Sequence, residues 1–375
     1  MTPSPLFETG TINGLTLANR FIRSATWEGM ATEDGQVTPQ LIDTMVKLAQ
    51  GGIGLIITSH AYVTPIGQAS PWQLGIYDDR LTGGLRSMTD AVHAAGGKIV
   101  VQLAHAGHFA LESAIDGPPV VVSNFDGLAQ APRTELTVAD IELLKNDYVA
   151  AVHRALAAGF DGVQLHSAHG YLLSQFLSPW FNRRVDQYGG STVNRVRIHV
   201  EILQAIRQAV GDGYPLLVKM NSEDFSDGGL SVTDSIAAAG QMVEAGLDAI
   251  ELSGGLLTGG KLSPSRPNIN APEKEAYFQD AARAFKKALD VPLILVGGIR
   301  SIEVAERLLA EKTADYISMS RPLIREPGLV NRWRSGNREP ARCISDNLCF
   351  RAGRSGNGIS CLSEIRGSRE RKTNT

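Results

Sequence analysis

The chain has 375 residues, room for two average domains or one large α/β barrel with insertions. With 36 Lys and Arg against 39 Asp and Glu, the net charge of −3 excludes the broad basic field that nucleic acid or an anionic membrane surface demands. No apolar run approaches the roughly 18 residues that span a bilayer, and the opening MTPSPLFETG lacks the parts of a secretory leader. The three cysteines all lie between positions 343 and 361 and cannot form a disulfide framework, so a cytoplasmic protein is expected.

Short apolar runs alternate with longer segments of helical period. The strands expected are Arg20–Ser24, Gly54–Thr58, Ile99–Leu103, Gly162–Leu165, Leu216–Met220, Ala249–Ser253, Leu293–Val296 and Tyr316–Met319. After the first, Thr38 stands as N-cap and Pro39 at the first helical position of a helix over Leu41–Gln50, which Gly51 stops. From Val138 a helix opens on the capping-box spacing Thr137 to Asp140, aligns Ile141, Leu144 and Tyr148 on one face, and ends at Gly159. Another opens at Ser231–Asp234, is expected to bury Ile236, Met242 and Val243, and stops at Gly246. The joints AAGFDGVQL (157–165), EAGLDAIEL (244–252) and EKTADYISM (311–319) repeat one helix–turn–strand unit, with AQGGIGLII (49–57) a looser copy. Such a repeat gives parallel strands with crossover helices, and eight of them close into a (β/α)8 TIM barrel. The alternative is an open doubly wound sheet, against which counts the lack of a GxGxxG after any strand. The barrel is expected over residues 1–339 and a C-terminal extension over 340–375. The tail RGSRERKTNT from Arg366 has no apolar residue and is expected to fray.

Three connections, 104–136, 166–192 and 254–272, are too long for simple linkers, and each follows a strand, on the face where barrel active sites form. The strongest cluster is His166-Ser167-Ala168-His169-Gly170-Tyr171, with three movable protons in six positions after the fourth strand. A histidine pair in isolation more often caps a loop or bonds to backbone. Zinc is disfavoured, since the spacing is not HExxH and no third ligand is in view. Thr26, Trp27, Ser59, His60, Gln102, His105, Lys219 and Asn221 fall at other strand ends, each with a structural explanation when taken singly. Lys219, closing the apolar run PLLVKM, is costly to desolvate without an anionic partner: Glu223, Asp224 or a ligand. The seventh strand ends in Gly297-Gly298 and the eighth in Ser318-Met319-Ser320-Arg321-Pro322, where barrels often bind phosphate. The string Gly255 to Lys261 matches GxxxxGK, but Leu262 replaces the Mg²⁺-binding hydroxyl and Pro264 spoils a helix start, so a P-loop is rejected. Cys343, Cys349 and Cys361 have a poor zinc spacing and fall one thiolate short of an iron–sulfur site.

Taken in order, LFETGTINGLTLANRFIRSA, VQLAHAGH, GFDGVQLHSAHGYLLSQFLSPWFNRRVDQYGGSTVNRVR, GGIRS and SMSRPLIREP resemble the Old Yellow Enzyme family of FMN-dependent oxidoreductases. The resemblance implies FMN as resident cofactor and NADH or NADPH as hydride donor. It implies an ene-reductase acting on the C=C bond of α,β-unsaturated carbonyl compounds. Carried over by position, it implies that Ala25, Thr26, Trp27 and the backbone of His60 line the flavin. Gln102 would bond its pyrimidine edge, Lys219 would sit by N1 and the C2 carbonyl, and Gly297, Gly298, Ser320 and Arg321 would hold the phosphate. His166 and His169 would bind the substrate oxygen beside Trp27, and Tyr171 would deliver a proton. Lys219 stands where most members have arginine, Trp27 where a smaller residue is usual, Ser320 for a glycine and His108 for an arginine. In the iron–sulfur branch, which includes 2,4-dienoyl-CoA reductase and trimethylamine dehydrogenase, four cysteines follow the barrel. Here the second is Asp346, so an incomplete motif without a cluster is expected, and that branch's C-terminal domains are expected to be missing. Two other activities remain open: dehydrogenation of a saturated ketone or amine, and a flavin subunit passing electrons to a partner protein. The expected partners are an enone-type small molecule and the nicotinamide, not nucleic acid or membrane, with a homo-oligomer left open.

Overall fold

Eight parallel strands close on themselves in the computed structural model, which describes residues 4–365. They are β1 (Phe21–Arg23), β2 (Leu55–Tyr62), β3 (Ile99–Ala104), β4 (Val163–Ser167), β5 (Leu216–Asn221), β6 (Ala249–Ser253), β7 (Leu293–Leu295) and β8 (Tyr316–Met319). Each pairs with the next in sequence, and β8 returns to β1 through Ile317 opposite Phe21. The sheet is therefore a (β/α)8 barrel and not an open one.

Local chemistry sets the helices as the sequence leads one to expect. Thr38 Oγ1 accepts from the Leu41 amide at the start of the helix Pro39–Gln50. Thr137 and Asp140 form a complete capping box on Val138–Ala157, whose Ile141, Leu144 and Tyr148 are buried. Gly159, at φ +81, ends that helix in the left-handed conformation that glycine adopts without strain. On Val232–Glu244, Met242 is buried with Ala238 and Ala239, while Ile236 and Val243 are only half-buried, packed against the edge of the core.

Two departures matter for the site. β2 does not stop at Thr58 but continues through Ser59 and His60 to Tyr62, and its register against β3 shifts between Ile57 and His60. Three residues on β2 advance while two advance on β3, so His60, rather than Ser59, shares the inward side with Gln102. The N-terminal stretch folds as a hairpin, Gly10–Ile12 with Leu15–Leu17, before β1 begins. Its Ile12 and Leu17 plug the bottom of the barrel against Ile22, Leu55, Ile57, Val100, Leu217, Ala249, Ile294 and Tyr316.

The three long connections leave the C-terminal ends of β3, β4 and β6. The first carries the short pair Val120–Val121 and Thr134–Glu135, the second the helix Leu172–Leu177, the third a 3-10 turn at Gly260–Leu262 with no α-helix behind it. That absence agrees with the rejection of a P-loop. Among the described residues no helix is long and apolar enough to cross a membrane. The tail from Arg366 lies outside the described residues.

Candidate active site

A cleft opens at the C-terminal ends of the strands, the face where barrel active sites form. It gathers Ala25, Thr26, Trp27, His60, Gln102, His166, His169, Tyr171, Lys219, Gly298, Ser320 and Arg321. Gly297 does not reach the wall; its carbonyl accepts the Tyr277 amide at 3.2 Å.

The floor is a buried polar chain. Gln102 Nε2 donates to Gln164 Oε1 at 2.8 Å, Gln164 Nε2 to Glu251 Oε2 at 3.0 Å, and Ser318 Oγ to Glu251 Oε1 at 2.8 Å. Lys219 Nζ donates to Ser24 Oγ at 2.7 Å and lies 3.4 Å from Glu251 Oε1. The partner of Lys219 is thus Glu251, neither Glu223 nor Asp224. Strand register is the reason: Lys219 and Glu251 face each other across β5 and β6, whereas Asp224 sits beyond the strand and accepts from Asn221 Nδ2 and the Leu230 amide. Glu251 was legible in principle, because it stands two positions above Ala249 on the inward stripe of β6. Burial pushes the Lys219 ammonium below its usual range, and the Glu251 carboxylate opposes that shift. Burial works to raise the Glu251 carboxyl, but Lys219 and hydrogen bonds from Ser24, Gln164 and Ser318 outweigh it and hold the group ionised.

Above the floor, four rings pack together. The His166 ring lies 5.3 Å from His169 and 4.8 Å from Tyr171, both edge-on, and His60 stacks on Tyr171 at 5.4 Å with Nε2 3.4 Å from the phenol oxygen. His169 is held at both ends: its amide donates to Asn221 Oδ1 at 3.0 Å and its Nε2 meets Ser253 Oγ at 2.8 Å. The His60 carbonyl accepts from Gln73 Nε2 at 2.9 Å, and the β2 bulge brings its imidazole into the cluster as well. Burial drives the imidazoles of His166 and His169 well below their usual range, assisted by each other's neighbours and by Lys219, and brings His60 to about 4. All three are neutral at physiological pH. Burial raises the Tyr171 phenol, which stays protonated.

Three observations test whether FMN suits the cleft. Arg321 is only 7% exposed and, among the described residues, has no carboxylate at ion-pair distance. A buried guanidinium without a counter-charge calls for an anion such as a phosphate. Beside it, a Cβ on Gly298 would come within 2.7 Å of the Tyr277 ring, so only glycine fits this part of the wall. Finally, Trp27 and His166 line the cleft, and their Nε1 and Nδ1 are buried with no hydrogen-bond partner in the protein, as suits a site completed by a polar group. The donor set fits the group.

One part of the wall comes from a segment in which no cleft residue was expected. Ser345 and Phe350 of the C-terminal extension line the cleft, and the Trp27 indole abuts Gly353, where a Cβ would come within 2.8 Å of the ring. Cys349 is buried while Cys343 and Cys361 are half-exposed, and all three thiols are free. Asp346 accepts from the Leu348 amide at 3.1 Å and from Ser363 Oγ at 2.5 Å, bonds internal to the extension. Among the described residues, no three His, Cys, Asp or Glu side chains are gathered for a metal ion.

Residues 5–339 match the NADH:flavin oxidoreductase / NADH oxidase family. The NADH oxidase of Thermoanaerobacter brockii is 37% identical over 364 residues, covering 94% of this chain and 54% of its own length. The NADPH dehydrogenase of Bacillus licheniformis is 36% identical over 329 residues, covering 87% of this chain and 93% of its own. The structure of the old yellow enzyme homologue from Zymomonas mobilis superposes with a TM-score of 0.75 at 27% identity, covering 89% of this chain and 93% of that one. The chain spans about half the length of the first curated relatives it matches.

Proposed function

This chain belongs to the NADH:flavin oxidoreductase / NADH oxidase family, with FMN as its cofactor, and we propose that it uses NADH or NADPH to reduce the activated C=C bond of α,β-unsaturated carbonyl compounds. The observation that carries this reading is the meeting, in one cleft, of two neutral imidazoles and a half-buried protonated phenol above a lysine–glutamate floor. Arg321, Ser320 and Gly298 would hold the phosphate, Lys219 and Gln102 the polar edge of the ring system, and Ala25, Thr26, Trp27 and His60 its surroundings. When bound, FMN supplies two-electron transfer from the nicotinamide to the alkene.

The protein groups do the rest. His166 and His169 each offer a neutral ring N–H to the substrate carbonyl oxygen, where negative charge develops as Cβ is reduced. Loss of one comparable donor costs roughly 10²–10³ in rate. Tyr171 transfers its phenolic proton to Cα; burial keeps that proton on the oxygen until it is needed. Lys219 would hold the polar edge of the ring system with its ammonium, and the Glu251 carboxylate opposes the loss of its proton that burial favours. Trp27 narrows the substrate end of the cleft. In this reading residues 1–339 form the FMN barrel, 340–375 its extension, and the enzyme works in the cytoplasm on small molecules.

The test is the colour of the protein. It should purify yellow, release FMN on denaturation, bleach with NADPH under anaerobic conditions and recolour on addition of 2-cyclohexenone. A colourless protein that FMN does not reconstitute would overturn the cofactor assignment. Bleached protein that enones recolour no faster than buffer would overturn the substrate class, and turnover only with a saturated ketone or amine and an artificial acceptor would favour a dehydrogenase instead.

A further inference from the structure

Asn347, in the extension, joins Arg321 to the loop that follows β6. Its Oδ1 accepts from Arg321 Nη1 at 2.7 Å and from Ser265 Oγ at 3.0 Å, while its Nδ2 donates to the Ser265 carbonyl at 2.7 Å. The Ser345 carbonyl accepts the Asn268 amide at 3.0 Å and ties the same two segments a second time. Ser265, Ser345 and Phe350 all line the cleft. Asn347 has φ +60, a left-handed conformation that asparagine tolerates better than most residues.

The chemistry of this contact is specific. Arg321 is buried, and Asn347 is its one hydrogen-bond partner among the described residues. A neutral amide oxygen fixes the guanidinium plane without cancelling its charge, leaving the remaining N–H groups for an anion. A carboxylate at position 347 would aim the same side chain but compete with the ligand for it.

We propose that Asn347 is a positioning residue for the cofactor phosphate: it holds Arg321 in the cleft wall with its charge unspent, so the extension completes the binding site. The proposal rests on the FMN reading. It extends that reading to a segment whose cysteines suggested only a degenerate motif.

The experiment measures binding of FMN and of riboflavin, which lacks the phosphate, to apoprotein by quenching of flavin fluorescence. Glycine suits the left-handed backbone, so Asn347→Gly removes only the side chain. It should weaken FMN about tenfold and change riboflavin by less than about twofold. In an Arg321→Ala background it should have no further effect on FMN, the mark of two residues acting through one contact. Asn347→Asp should weaken FMN more than Asn347→Gly does, and added salt should narrow that gap by screening the new ion pair. Equal weakening of both flavins, or full additivity with Arg321→Ala, overturns the proposal. Should Asn347→Gly fail to fold, Asn347→Asp decides alone: FMN weakened no more than riboflavin overturns it. A wild-type chain that binds neither flavin defeats the FMN reading and this inference together, whereas wild-type binding matched by Asn347→Gly defeats this inference only.

Discussion

The two ends of the barrel use the same strands by opposite rules. On the inward stripe Ile22 precedes Ser24, Val100 precedes Gln102, Leu217 precedes Lys219, Ala249 precedes Glu251 and Tyr316 precedes Ser318. The lower members, with Ile12 and Leu17, form an apolar plug. Such burial contributes about 25 cal/mol per Å². The upper members form a polar floor whose Lys219–Glu251 pair must be desolvated, a cost that its Coulomb attraction scarcely repays. The lower layer's one polar side chain, Tyr316, donates to the Thr11 carbonyl at 3.1 Å, whereas the upper end keeps buried Trp27 Nε1 and His166 Nδ1 unpaired. Stability and chemistry are separated by two residues along these five strands. Between the apolar plug and the cleft, the unpaired polar atoms lie on the side that carries the chemistry.

That contrast can be broken most severely at Tyr171. Tyr171→Phe should slow reoxidation by 2-cyclohexenone by about 10²–10⁴, the usual worth of a positioned general acid. Flavin reduction by NADPH should stay within a few-fold of wild type and the melting temperature should not move. Stopped-flow measurement of the two half-reactions decides it, and unchanged reoxidation would refute the proton-donor role.

Next in size is the floor. Glu251→Gln leaves Lys219 buried without its counter-charge and should cost about 3–5 kcal/mol in urea unfolding. Replacing the pair together, Lys219→Met with Glu251→Leu, converts the upper layer to the lower rule. It should recover most of that stability while FMN affinity stays impaired. If the single and double variants are equally unstable, Lys219 and Glu251 do not act as a pair.

At the lower end, Leu217→Ala should cost about 2–5 kcal/mol by opening a cavity and leave FMN affinity and both half-reactions unchanged. A loss of flavin from this variant would show that the two layers are coupled.

Spread over several residues is a pH dependence carried by the upper end and its surroundings. His166 is held well below its ordinary range by burial, His60 at about 4, and the buried His105 and His199 at about 3. The unfolded chain takes up protons near pH 6.5 that the folded chain refuses. Stability should therefore be level above that pH and fall as the solution is acidified toward pH 4, by up to about 1.4 kcal/mol per pH unit for each such imidazole. Urea midpoints at pH 7.5, 6 and 5 check the sign; a rise on acidification would contradict it.

Much of this architecture is written locally. Thr38 caps its helix and Thr137 pairs with Asp140 because the partners lie within one turn, and the repeated helix–turn–strand joints imply eight parallel strands whatever the rest of the chain does. His166, His169 and Tyr171 were visible as a cluster because six consecutive positions contain them. Other parts of the site were not. The imidazole of His60 enters through a bulge that a polar Ser-His pair disguised as the end of a strand. Glu251 looked like an ordinary residue of an apolar run, and the extension looked like a broken cysteine motif.

What the sequence by itself determined is the hydrophobic period, the helix caps and the order of strands, since these depend on neighbours within a few residues. Which polar side chains face one another was decided only in the closed barrel. Lys219 meets Glu251, Gln102 meets Gln164 and Arg321 meets Asn347 across gaps of 32, 62 and 26 residues. The neutral state of the imidazoles belongs to the same class, because it follows from burial that many distant segments create together. Short-range sterics and hydrogen bonding act before the chain closes, whereas register, burial and charge pairing exist only once it has.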